Sequence, residues 1–305
     1  MTRTKSRNDD YPLTTKIDTY INNLRDRFFD LGTSVYKWTN LDKYSIPIRQ
    51  PEKLLYENGM FCYVEYKKVP MLLPVATGTI VDNVYGEPSS WRAVPVGTKF
   101  AEISTIKLND SNSVIVRNNY SRRPTKLIVE DLLYKLRENE IAYRSQNNGH
   151  KLTVVFETDP DTLTQTKSIY KAICNADPLY LNGKINQPEQ LWFNSLPFIL
   201  DKLTDESKSI INSILTWEGI DNVPVEKQER LLTGEVEGND EVVNLVRDNG
   251  EEERKAGCDK MNDLIDKSNL PYHLDVEINP KMQLDNTTTG DISNGIIYNE
   301  TGTMQ

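Results

Sequence analysis

Histidine and cysteine are scarce in this chain, which has two histidines and three cysteines among 305 residues. Cys62, Cys174 and Cys258 are far apart, and no C-x-x-C pair occurs. His150 and His273 stand at no ligand spacing to each other or to a cysteine. Zinc sites and disulfide frameworks need clustered ligands or paired cysteines, so we expect reduced cysteines and no bound metal.

Long apolar runs are missing as well. No hydrophobic stretch approaches the roughly 20 residues that a membrane-spanning helix needs. The first seven residues include Arg3, Lys5 and Arg7 and lack the apolar segment of a signal peptide. We therefore expect no membrane association and a protein that is made and used in the cytoplasm of its host cell.

Signature motifs of common enzymes are also absent. The chain contains no G-x-x-x-x-G-K-[ST], G-x-S-x-G, H-E-x-x-H or G-x-G-x-x-G sequence. Carboxylates at Asp159, Asp161 and 251–253 could bind a divalent cation, but nothing at fixed spacing completes a site. The sequence thus predicts a protein without a cofactor or enzymatic activity, and a carboxylate-based hydrolase is a distant alternative.

Acidic residues are concentrated in one region of the chain. Residues 1–217 have a net charge of +3, residues 218–266 of −9 and residues 267–305 of −3. Proteins that bind a DNA duplex tightly normally present a basic face, because their affinity comes from neutralising phosphates. The charge pattern disfavours an ordinary duplex binder and is compatible with an acid-lined surface that DNA passes without adhering.

Three long helices are predicted from apolar periodicity. The first begins near Thr14 or Thr15, and its apolar seam continues to Val35 and Trp38 at alternating steps of four and three. That seam fits a coiled coil as well as a helix packed on its own domain. The others are expected at 125–146 and 197–219, and shorter helices at 239–247 and 251–267.

Two β-containing regions separate these helices. Residues 46–120 carry short runs rich in aromatic and β-branched residues, punctuated by prolines, and predict a mostly antiparallel unit. Glu102–Ile106 is one of its predicted strands. Residues 151–196 predict a strand, a short helix and a hairpin at Asn182-Gly183. The tail from 283 is polar and irregular.

The segment 225–241 (VEKQERLLTGEVEGNDE) follows the third long helix and holds six acidic and two basic residues. A run of this kind usually faces solvent. Its order of residues nevertheless resembles a segment of the upper-collar connector, or portal, proteins of small short-tailed bacteriophages. Further matches in the same order occur at Phe61–Lys67, Val114–Asn119, Pro197–Leu203 and Cys258–Leu264. Together they extend over some 250 residues.

The resemblance implies an α+β portal fold with long tilted stem helices, a small β-rich wing, an α/β clip and a helical crown, assembled as a ring. The implied regions are an arm (1–12), wing with a long helix and SH3-like β unit (13–124), first stem helix (125–150), clip (151–196), second stem helix (197–219), channel loop (220–242), wing and crown helices (243–282) and tail (283–305).

The same resemblance implies a function and a set of partners. The ring, a dodecamer in this family, sits at one capsid vertex in the virion, and DNA passes through it during packaging and ejection. Capsid and scaffolding proteins, lower collar and tail proteins and a separate packaging ATPase would bind it. A monomeric or dimeric acidic helical adaptor that binds a basic partner is the alternative.

Residue roles are carried over from the family by position. Channel residues would be Lys202, Glu226, Lys227, Glu229, Arg230, Glu235, Glu237 and Asp240. A second basic channel position of the family falls at Phe193, which is not basic. Lys202 could instead be a surface lysine paired with Asp205 or Glu206. The arm residues Arg3, Lys5 and Arg7 would contact nucleic acid or the motor, or form only a solvated tail.

Overall fold

The computed structural model describes residues 13–76, 78–95, 98–151, 155–156, 190–192, 199–222 and 233–280. The chain divides into two compact units. The first consists of Met1–Ile21 and Tyr134–Ile210, and the second of Asn22–Leu133 and Ile211–Gln305. The fold class is α+β, as the sequence predicts.

The described residues contain five α-helices. They are α1 (Leu13–Gly32), α2 (Gln50–Asn58), α3 (Thr125–Lys151), α4 (Leu200–Trp217) and α5 (Thr233–Lys267), with 3₁₀ turns at Asp42–Tyr44 and Thr98–Thr105.

The strands are short, from two to seven residues each. They are β1 (Tyr36–Thr39), β2 (Met60–Tyr66), β3 (Val69–Pro74), β4 (Val81–Asp82), β5 (Pro88–Ser90), β6 (Ser113–Arg117), β7 (Val155–Phe156), β8 (Gln190–Trp192) and β9 (Asp275–Ile278). All pairings between them are antiparallel: β3–β2–β6 form a three-stranded sheet, and β1–β9, β4–β5 and β7–β8 form pairs.

The central strand β2 is buried on both faces, so apolar residues occupy consecutive positions. Phe61 and Tyr63 belong to the core cluster that also holds Met261 of α5. Cys62 and Val64 belong to a second cluster on the opposite face, around Trp91. Because side chains alternate across a strand, one four-residue run supplies two cores.

Helix α5 approaches the sheet closely through two glycines, Gly250 and Gly257. A Cβ at Gly257 would lie 2.8 Å from Val116 of β6, and a Cβ at Gly250 would lie 2.2 Å from the Tyr36 hydroxyl oxygen. The sequence predicts two helices separated near Gly250, and this prediction is wrong, because Gly250 is needed for the close contact with Tyr36. The glycine is a point of close contact within one continuous 35-residue helix.

Other predicted boundaries also need correction. The seam of α1 does not reach Val35 and Trp38, because α1 ends at Gly32 and both residues are buried in or beside β1, which pairs with β9. Glu102–Ile106 is mainly a 3₁₀ turn rather than a strand. Helix α2 was not predicted.

Helix α3 continues through the Asn148-Gly149 signal to Lys151. Residues 233–242, expected in the channel loop, belong to α5. The predicted helix at 161–172 and hairpin at 180–185 lie outside the described residues.

Within the first unit, two long helices lie side by side. The Asn139 side-chain amide of α3 donates to the Leu203 carbonyl oxygen (2.6 Å) and to the Ser207 hydroxyl oxygen (2.8 Å) of α4. The Arg137 guanidinium pairs with Asp18 of α1 at 2.8 Å. These polar contacts fix the register of α3 against its neighbours.

Candidate functional site: the anchor before residues 223–232

The residues Glu218–Asn222, together with Arg247 of α5, form a connected group that we call the anchor. It lies in the second unit and holds the chain between the end of α4 and residue 223. The acidic segment singled out by the sequence begins three residues after the anchor ends, at Val225.

Helix α4 ends in a Schellman motif at Gly219. The Ile220 amide donates to the Leu215 carbonyl oxygen (2.9 Å) and the Gly219 amide to that of Thr216 (3.0 Å). Gly219 has φ of +74°, a conformation that glycine adopts without the steric strain of a Cβ. The chain therefore turns sharply at this residue.

The chain after the turn is tied back onto α4. The Asn222 side-chain amide donates to the Asn212 carbonyl oxygen (2.7 Å) and to the Thr216 hydroxyl oxygen (3.0 Å). Both acceptors lie in the last two turns of α4, and the Thr216 hydroxyl itself donates to the Asn212 carbonyl oxygen at 3.0 Å. The two bonds from Asn222 fix the direction in which the chain leaves α4.

Arg247 connects this turn to α5. Its guanidinium pairs with Asp221 at 3.1 Å and donates to Asn244, and its side chain is 6% exposed. A Cβ at Gly219 would lie 2.8 Å from Arg247 Cγ, so the arginine stem packs against the glycine. The Tyr36 hydroxyl donates to the Arg247 carbonyl oxygen at 2.8 Å.

Glu218 is the unusual member of the anchor. It is 6% exposed, and its Oε1 accepts a hydrogen bond from the Tyr56 hydroxyl at 3.2 Å. Its Oε2 is buried and has no hydrogen-bond partner among the described residues. Burial raises the pKa of the Glu218 carboxyl to about 8, and the Tyr56 hydrogen bond opposes this only in part.

A buried ion pair lies behind the anchor. The Arg254 guanidinium donates to both oxygens of Glu52 at 2.8 Å and to the Asn118 side-chain oxygen at 2.9 Å. Glu52 also accepts from the Trp38 ring nitrogen at 2.8 Å. Burial alone would lower the pKa of Arg254, but the charge and hydrogen bonds of Glu52 raise it overall.

Tyr36 bridges the ion pair and the anchor. Its ring lies 3.9 Å from the centre of the Arg254 guanidinium, while its hydroxyl bonds to Arg247. Burial raises the pKa of Tyr36 to about 12, so the hydroxyl remains a donor at neutral pH. Thus Arg247 and Arg254, seven residues apart on α5, are held by one aromatic side chain.

Only some of the predicted channel residues lie within the described part of the chain. Lys202 lies exposed on α4, and among the described residues it forms no salt bridge with Asp205 or Glu206; Asp205 lies 4.0 Å from Lys208. The backbones of Glu235, Glu237 and Asp240 are in α5. The remaining predicted site residues lie outside the described residues: Glu226, Lys227, Glu229, Arg230, Arg3, Lys5 and Arg7.

Sequence reasoning missed the whole anchor and the ion pair behind it. One signal was present: Arg247 and Arg254 precede Met261 at steps of seven, so two charged residues share a helix face with a core methionine. That face appears only if α5 is recognised as one helix, and the assumed break at Gly250 concealed it.

The described residues contain neither a cluster of metal ligands nor a membrane-spanning helix. No group of three or more His, Cys, Asp or Glu side chains there could hold a metal ion. Within the same residues, every helix is too short or too polar to cross a membrane.

Comparison with known proteins identifies the class. The model of a family described as Phage Connector (GP10) matches residues 13–284. The chain therefore belongs to the phage connector family, whose members are portal, or head–tail connector, proteins of the virion. Connectors are structural proteins rather than enzymes.

A solved structure entitled "Portal and tail of native bacteriophage P68" is also similar. Its chain is 19% identical, with a TM-score of 0.40, and the match covers 94% of this chain and 98% of that one.

Proposed function

We propose that twelve copies of this chain form a ring at one vertex of a phage capsid. DNA passes through the central channel of this ring during packaging and ejection. The observation that carries this proposal is the family match over residues 13–284. Capsid and scaffolding proteins, tail proteins and a separate packaging ATPase would dock on the ring.

The charge distribution supports a channel that does not retain DNA. In a ring every side chain is repeated by the symmetry, so one acid becomes a circle of acids. The segment 218–266 has a net charge of −9 per copy. Such circles repel phosphates, and the repulsion extends over about 10 Å at moderate salt. DNA would then slide past the acids at 226, 229, 235, 237 and 240.

Basic residues would supply weak, salt-dependent contacts in the same channel. Lys202 is suited to this role because it is exposed and is engaged by neither Asp205 nor Glu206 among the described residues. Lys227 and Arg230 are the other candidates, and the arm residues at 3, 5 and 7 would contact nucleic acid or the motor.

Particle size tests the ring. A chain of 35.0 kDa would give a twelve-copy ring of about 420 kDa in size-exclusion chromatography with light scattering, and negative-stain images would show a central hole. A particle of one or two copies would contradict the ring and favour the acidic adaptor, whose basic partner could then be sought.

The lysine contact can be tested separately from assembly. Lys202→Ala should leave the ring intact, because the side chain is exposed, and should alter DNA retention or packaging through loss of a circle of positive charge. Lys208→Ala is the matched control on α4, since Lys208 pairs with Asp205. Loss of the ring in Lys202→Ala would show a structural role, and equal DNA effects in both variants would remove the special role of Lys202.

A further inference from the structure

Glu218 stands out in the described part of the second unit as a buried carboxyl without a positive partner. Each of the buried arginines there has a carboxylate: Arg254 has Glu52 and Arg247 has Asp221. Glu218 has only the Tyr56 hydroxyl, and its second oxygen is without a hydrogen bond. A buried acid in this position is stable as the neutral form, because a buried charge without a partner is strongly disfavoured.

The surroundings of Glu218 offer the charged form little help. On the α1 side Glu218 lies against Gly32, where an added Cβ would be 3.1 Å from the carboxyl group. From α2 it meets Tyr56. On α3, the negative charge of Glu130 helps to raise the pKa of Tyr56. Glu130 is itself paired with Arg25 at 2.7 Å.

The cation on the α5 side is already engaged. Arg247 packs against Gly219, the residue after Glu218, but its guanidinium pairs with Asp221 and Asn244. Arg247 therefore anchors the turn without neutralising Glu218. The two contacts hold residues three positions apart to different helices: a salt bridge ties Asp221 to α5, and a hydrogen bond ties Glu218 to α2.

We propose that Glu218 is a proton-controlled latch: the neutral acid stays buried against Tyr56 of α2 and holds the end of α4 there, and its ionisation drives the carboxylate out to water and loosens the chain at 218–222. The proposal deepens the proposed function and rests on it, because this chain leads directly into the acidic segment. The Tyr56 hydrogen bond offsets only part of the cost of burying an ionised Glu218, so the carboxylate gains water by moving out of its pocket.

The direction of the pH response follows from the raised pKa. The folded protein holds the Glu218 proton until about pH 8, whereas an unfolded glutamate loses it near its ordinary pKa of 4.5. Stability from this group is therefore greatest below the unfolded value, declines as pH rises through this window, and is fully lost above the folded value. The latch opens on the alkaline side.

Hydrogen exchange of the full-length protein tests the latch. Amides of the peptide covering 213–222, corrected for intrinsic exchange rates, should lose about tenfold or more protection between about pH 6 and about pH 9 in the wild type. Glu218→Gln, which stays neutral, should keep its protection at both values. Glu57→Gln, an exposed change on α2, should respond as the wild type does.

A second variant separates the latch from simple loss of packing. Tyr56→Phe removes the hydrogen bond that lowers the Glu218 pKa, so its transition should move to higher pH. The latch is wrong if Glu218→Gln keeps the wild-type pH response, or if protection in the wild type is the same at both values.

Particle size should also be measured at both pH values, because it tests the ring independently of the latch. Rings with pH-independent protection would overturn the latch alone. Small particles whose protection falls with pH would support the latch and overturn the ring.

Discussion

The substitution Glu52→Gln examines the buried ion pair on which the anchor is built. Arg254 and Glu52 have side chains that are 4% and 3% exposed, and both guanidinium nitrogens facing the carboxylate donate at 2.8 Å. A glutamine keeps the acceptor for Trp38 but removes the negative charge. Its amide group would also present donors to the donors of Arg254.

The expected loss is large because Arg254 would remain charged and buried. Removing one partner of a buried ion pair costs about 3 to 5 kcal/mol. Asn118 and the Gly250 carbonyl still accept from Arg254, which favours the lower half of that range. For a chain of 305 residues the loss corresponds to a decrease in melting temperature of roughly 5 to 8 °C.

Thermal unfolding at matched protein concentration measures this loss, with particle size checked before heating. Glu277→Gln is the control, because its pair with Lys37 is exposed at 3.5 Å and contributes less than about 1 kcal/mol. The double variant Glu52→Gln, Arg254→Met should lose less than the sum of the two single losses. A Glu52→Gln protein that melts within about 2 °C of the wild type would refute this reasoning.

Two further predictions concern glycine geometry and cysteine reactivity. Gly59→Ala should destabilise the protein far more than Gly78→Ala. Both glycines have positive φ, but of the two only Gly59 is so placed that a Cβ would meet a backbone carbonyl oxygen, at 2.4 Å. Equal melting temperatures of the two variants would contradict this. Burial raises the pKa of the Cys62 and Cys258 thiols to about 12 each. In a Cys174→Ser background, native protein near pH 8 should therefore react with a thiol reagent about a thousandfold more slowly than unfolded protein, and prompt labelling of two thiols would disprove it.

The position of elements was predictable from sequence where the pattern was local. A strand at Phe61–Tyr66 is predicted from its aromatic and β-branched residues, and the structure confirms a strand at Met60–Tyr66. Helix α4 was predicted from its apolar stripe, and its end at Gly219 from the glycine. These features depend on residues close in sequence.

The errors arose where a distant contact overrides a local signal. Gly250 looks like a helix break, but it is in α5 because Tyr36, 214 positions earlier in the chain, packs where a Cβ would be. Val35 and Trp38 continue a helical spacing, yet β1 pairs with β9 across more than 230 residues. Helical periodicity cannot report a partner strand at that distance.

The sequence by itself determined the family, the α+β class, the scarcity of histidine and cysteine and the concentration of acid in 218–266, because each is a property of composition or of residue order. Only the tertiary structure decided which charges are buried and paired. Glu52 and Glu218 are both glutamates on helices or their ends, but folding places Arg254 against one and only a tyrosine hydroxyl against the other. The cost of burying charge makes the first an ion pair and the second a neutral acid.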